Sequence, residues 1–157
     1  MRDESTKQAA QEYLAAKLAE EGQQREDKLN RETAVARSLL VWKSFRDAIF
    51  EQCREWNTVT QEETLTCKET PLGDLRIWCP SRSKQMTVHY DSRKLLITLK
   101  NAGRLEHEKD VILLIEGYSS GPTRDAHLVR NDEHVNVDIL ILGELRVLTG
   151  IGRQRIS

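Results

Sequence analysis

The stretch Thr33 to Asn57, TAVARSLLVWKSFRDAIFEQCREWN, decides how the rest of the chain is read. Val35, Leu39, Trp42, Ile49, Cys53 and Trp56 follow one another at steps of four, three, seven, four and three, which is the spacing of one face of a helix. Arg46 alone interrupts the row, and Phe45 and Ala48 widen it into a stripe broad enough to face a core. Trp42, Phe45, Phe50 and Trp56 are therefore read as packing residues of an amphipathic helix over 33–57. The helix is expected to stop near Asn57, because Thr58, Val59 and Thr60 are β-branched and lose rotamer freedom in a helix.

After Asn57 the period of the apolar residues changes to two. Leu75, Ile77 and Cys79 alternate with Arg76 and Trp78 after the turn Pro71-Leu72-Gly73-Asp74, and Pro80 stops the ladder. Met86, Val88 and Tyr90 alternate next, and Asp91-Ser92-Arg93 turns the chain into Leu95, Ile97 and Leu99 as a hairpin. Following a break at Asn101-Ala102-Gly103, Asp110 to Tyr118 is apolar on both faces, as a strand covered on two sides should be. In the last stretch Val135, Val137, Ile139, Ile141, Leu145, Val147 and Ile151 occupy alternate positions, which favours extended structure bent at Gly143. A helix from Asp138 to Thr149, capped by Asp138 and stopped by Gly150, is the alternative.

Toward the N-terminus, Ser5 and Gln8 make a capping box ahead of the Ala-rich run Ala9 to Glu21. Gly22 to Thr33 holds a single large apolar residue, Leu29, so this part is a solvated or frayed helix and no part of a core. The expected fold class is α+β: a polar helical or frayed extension over 1–32, then one domain over 33–157. In that domain a helix over 33–57 precedes a meandering antiparallel sheet of five to seven strands over 60–151.

Composition sets the outer limits. The chain has 157 residues, 38% hydrophobic and 31% charged, with mean hydropathy -0.59, enough for one domain with a core of its own. Its 24 Lys and Arg balance 25 Asp and Glu, without the basic excess that phosphate neutralisation requires, so no nucleic-acid partner is expected. The longest apolar run, Val111 to Ile115, is far short of a membrane span of about 20 residues. The first residues are polar and lack the apolar region of a secretion signal. Three cysteines, Cys53, Cys67 and Cys79, form no C-x-x-C pair and are expected to be reduced packing residues in a cytoplasmic setting.

The histidines are the natural place to look for chemistry, and none falls in a metal-binding spacing such as H-E-x-x-H. His127 and His134, with Asp125, Asp132 and Glu133, straddle a predicted hairpin turn at Asn131-Asp132-Glu133, where the two imidazoles could oppose one another. They are the only candidate metal ligands, and a solvated hairpin tip is the favoured reading of the cluster. Glu106-His107-Glu108-Lys109-Asp110 is a second polar run, where flanking carboxylates would favour an imidazolium. There is no G-x-S-x-G nucleophile elbow and no phosphate loop, and the lone Gly150-Ile151-Gly152 has no following helix. Arg153 and Arg155 read as a solvated tail or as partners for an acidic surface.

These residues point first to a non-enzymatic assembly module. It would form a homo-oligomer through the long helix and the apolar strand faces, which exceed what one helix can cover. The second expectation is a binding module for a small apolar ligand, lined by Trp42, Trp56, Trp78, Met86 and Tyr90 in a helix-covered curved sheet. The third is an enzyme on the same cup using His89, His127 or Asp138 as its base. No cofactor is called for.

Overall fold

The computed structural model describes residues 2–151. Helix α1 runs from Arg2 to Thr60, followed by β1 (Thr66–Glu69), β2 (Leu75–Cys79), a 3-10 turn (Pro80–Arg82), β3 (Lys84–Asp91) and β4 (Leu96–Asn101). Then come β5 (Val111–Ser120), β6 (Thr123–Arg130), β7 (Glu133–His134) and α2 (Val137–Thr149). The strands form one seven-stranded sheet in the order of the chain, each antiparallel to the next. The α+β class with a meandering sheet stands. Gly152, Arg153 and Arg155 lie outside the described residues.

Side-chain alternation places the core. Leu75, Ile77 and Cys79 of β2, Met86 and Val88 of β3, Ile97 and Leu99 of β4, and Val111, Leu113 and Ile115 of β5 point to one face of the sheet. Trp42, Phe45, Ile49 and Cys53 of α1 and Ile141, Leu145 and Leu148 of α2 pack against that same face. Both helices thus cover one side, and the other side lies open. Strand β5 is apolar in both directions, yet only Val111, Leu113 and Ile115 are buried; Ile112 and Leu114 are exposed.

Four expectations are corrected. The C-terminal stretch is the helix α2, not a strand: Ile141, Leu145 and Leu148 are buried at helical steps, and the alternation arises because apolar residues occupy nearly every position. Its N-cap is Asn136, whose side-chain oxygen accepts from the Ile139 amide, and not Asp138; Gly150, at φ 83°, ends it as expected. Helix α1 continues past Asn57 because the hydroxyls of Thr58 and Thr60 donate to the carbonyls of Arg54 and Trp56, and it stops at Gln61, in the left-handed region at φ 57°. The buried stripe of α1 begins with Ala34 and Ser38, one residue earlier than the spacing suggests, which leaves Val35 and Leu39 exposed. Arg46, the interruption in the stripe, reaches Glu69 of β1 at 2.8 Å.

Two close approaches set how the layers meet. A Cβ on Gly117 of β5 would run into the Asn30 carbonyl of α1, and one on Gly103 would run into the Val147 carbonyl of α2. At the first crossing Arg124 of β6 donates to Asn30 at 3.1 Å and to Glu26 at 2.9 Å. This is the outermost ion pair holding α1 to the sheet among the described residues. Before Glu26 every described side chain of α1 is exposed, so its first six turns, about 33 Å of helix, stand clear of the domain.

Candidate functional site

The projecting helix carries apolar residues that its own domain does not cover. Leu14, Leu18, Leu29 and Leu40 are 55%, 68%, 37% and 57% exposed. They follow one another at steps of four, eleven and eleven residues, each close to a whole number of turns, so they share a line along α1. That line is opposite the side on which Ala34, Trp42, Phe45 and Ile49 meet the sheet. Leu39 lies beside it and Val35 farther round toward the buried side, both exposed. The sequence signal for this second face lies in Leu14, Leu18 and Leu29, and it is sparser than the aromatic stripe of 33–57.

A second feature is a groove of about 530 Å³ along the edge of β6, beside α1 and the start of α2. Leu40, Val41, Phe45, Leu128, Val135 and Val137 supply apolar walls, and Arg37, Asp125, His127, His134 and Asp138 supply polar ones. Asn131 and Asp132, at φ 52° and 64°, make the tight turn that brings the histidines together. Their Nδ1 atoms are 2.9 Å apart. His127 is diagonal to His134, which pairs directly with Val129. Tyr118 stacks on the far face of His127, ring centres 4.4 Å apart. Burial and the neighbouring His134 hold the His127 pKa below its ordinary value, against the opposing pull of Glu116 and Asp125. A pair of imidazole nitrogens can offer two metal ligands; among the described residues no group of three or more ligating side chains gathers around them.

The third feature lies on the open sheet face. His89 Nδ1 is 2.5 Å from Asp74 Oδ1, in a groove of about 470 Å³ that Thr87, Lys94, Thr98, Lys100 and Ile112 also line. The pair has the donor–acceptor arrangement of an oriented imidazole, with no thiol or serine among the groove's lining residues. Strands β4 and β5 separate His89 from His127, and Asp138 faces the β6 edge, where its backbone carbonyl accepts from Gln52 at 2.9 Å. His127 and Asp138 therefore share one groove and His89 lies in another, so the three candidate bases do not converge.

Nor do the five candidate ligand-lining residues. Trp42 stacks on Tyr90 with ring centres 5.5 Å apart, and the Tyr90 hydroxyl donates to Ser38 Oγ at 2.8 Å, beneath α1. Met86 is fully buried in the core. Trp56 borders a groove with Val59 and Leu142 at the far end of α1, and Trp78 stands on the open face. Composition and spacing gave no sign of two polar pairs that the fold assembles. Arg104 and Glu144 form a buried ion pair, and Cys53 and Cys67 are neighbours: Cys67 pulls the Cys53 pKa down, while Cys53 and burial push that of Cys67 up. No family model, curated protein or solved structure matches the chain.

Proposed function

We propose that this chain is a non-enzymatic assembly module that associates with further copies of itself through the outward side of α1 and the apolar part of the open sheet face. The observation that carries this reading is the line of exposed leucines on a helix that runs about 33 Å beyond its own domain. Solvated apolar residues aligned on one side of a projecting helix are an interaction surface in search of cover. Catalysis has less support, since His89 lies in a groove of its own, apart from His127 and Asp138. A small apolar ligand likewise has less support, since Trp42, Met86 and Tyr90 fill the core rather than a shared cavity.

Sedimentation equilibrium on wild type and on the Leu14→Glu, Leu18→Glu double variant tests the proposal. Burying one leucine is worth about 1.5–3 kcal/mol, and about 1.4 kcal/mol is tenfold in Kd. The variant is expected to fall to the smaller species held by the sheet face alone, at concentrations where wild type forms the larger assembly, with unchanged helical circular dichroism. A wild-type chain that stays monomeric at high micromolar concentration would overturn the reading.

A further inference from the structure

Resting on the assembly reading, the inference here concerns its geometry: we propose that two copies pair through α1 as antiparallel helices about a two-fold axis at Leu29. In a two-fold pair of this kind, a residue a given distance before the axis meets the residue at the same distance after it on the other copy. On the outward side of α1, Leu18 and Gly22 stand eleven and seven residues before Leu29, and Ala36 and Leu40 stand seven and eleven after it. All five are exposed, and steps of seven and eleven are close to two and three turns. Antiparallel pairing therefore sets Leu18 against the partner's Leu40 and Gly22 against the partner's Ala36, with Leu29 meeting itself on the axis. Large faces large and small faces small from Leu18 to Leu40, so the helices can close on one another over that span, and Leu14 farther out falls opposite the partner's Ser44.

The charges select the same direction and register. Arg25 and Glu32 stand four before and three after Leu29 on one flank, so each comes within one residue, about 1.5 Å, of the opposite charge across the axis. Farther out, Lys7 falls opposite the partner's Glu51 and Glu4 opposite the partner's Arg54, all of them exposed in the single chain. A parallel pair would instead place each of these charges against its own copy, which is repulsive. The sheet does not obstruct the arrangement, because it packs on the other side of α1 through Ala34, Phe45 and Ile49. Each domain then sits on the outside of the helix pair, beside the projecting turns of the other.

Two measurements on the full chain test the direction and register separately from assembly. In the first, Leu29→Cys, Leu18→Cys and Leu40→Cys chains are oxidised with diamide, which takes two hydrogens from each thiol pair as the disulfide forms. Leu29→Cys is expected to give covalent dimer at least several-fold faster than Leu18→Cys or Leu40→Cys alone, and a mixture of the latter two is expected to cross-link with each other. In the second, Lys7→Glu is expected to weaken dimerisation a few-fold and Lys7→Glu with Glu51→Lys to restore it. These residues are about 66 Å apart on one helix, so rescue can only act between copies. Equal cross-linking of Leu18→Cys with itself, or absence of rescue in a chain that still dimerises, would overturn the antiparallel register and leave the assembly reading standing. A monomer by sedimentation in every form would overturn both.

Discussion

Arg104 and Glu144 face each other where the β4–β5 connection meets α2, and each side chain is only 8% exposed. Burial raises the Glu144 pKa, and the Arg104 guanidinium beside it opposes that shift. The Nη1 of Arg104 is buried with no hydrogen-bond partner, so the pair is not fully compensated. Removing one member strands a charge, which in buried pairs costs about 3–5 kcal/mol, whereas replacing both by apolar residues of similar size is often neutral or stabilising. Arg104→Ala is therefore expected to lower the urea midpoint sharply, and Arg104→Met with Glu144→Leu to recover most or all of it. Equal losses in the two variants would show that packing, not charge, is at stake. His127 supplies a pH dependence of defined sign. Its folded pKa lies below the ordinary 6.5, so the unfolded chain binds more protons in the window just below that value. Its contribution to stability is present above about pH 6.5 and is lost as pH falls through the folded pKa. His127→Gln is expected to flatten the stability profile in the window just below about pH 6.5, read by chemical denaturation at several pH values.

At the scale of elements, what could be read from the sequence depended on how many faces an element buries. Strands β2, β3 and β4 bury one face, so Leu75 to Cys79, Met86 to Tyr90 and Ile97 to Leu99 announced themselves by alternation. Helix α2 is apolar almost throughout, so period two and period 3.6 both fit until the core selects Ile141, Leu145 and Leu148. Helix α1 has an aromatic face toward the sheet and a sparser leucine face away from it; the first was legible and slightly misplaced, the second was not recognised. The histidine pair was half legible, because a hairpin turn at Asn131 predicts proximity but not the diagonal register. The α1–β5 contact could not be read at all, since a close approach of backbones leaves no pattern beyond one glycine. Gly117→Ala is expected to cost about 1–3 kcal/mol by overpacking, because the colliding atom is the Asn30 backbone carbonyl and cannot rotate away. Alanine at Gly143, where a Cβ would meet nothing within 4 Å, is the matched control. Loss of stability at Gly117 alone, in thermal unfolding of both variants, checks the account.

For the whole molecule, the two-layer arrangement leaves a second unpartnered surface. With α1 and α2 on one side, the opposite face of the sheet exposes Trp78, Ile112 and Leu114 at 37%, 53% and 41%. Around them are Arg76, His89, Lys100 and Glu116, which keep the face from being uniformly apolar and limit indiscriminate sticking. The helix line and the sheet face point in opposite directions from the core, so contacts at one do not obstruct contacts at the other. With both surfaces associating as proposed, each copy has two neighbours and the assembly is larger than a dimer. Ile112→Lys, at a position already half in solvent, is expected to leave folding intact and reduce the wild-type assembly to a dimer held by α1. Leu18→Glu is expected to leave the dimer held by the sheet face, and the two substitutions together to give monomer. Sedimentation velocity over a concentration series distinguishes these species. If Ile112→Lys sediments as wild type does, the sheet face takes no part in assembly and the helix acts alone.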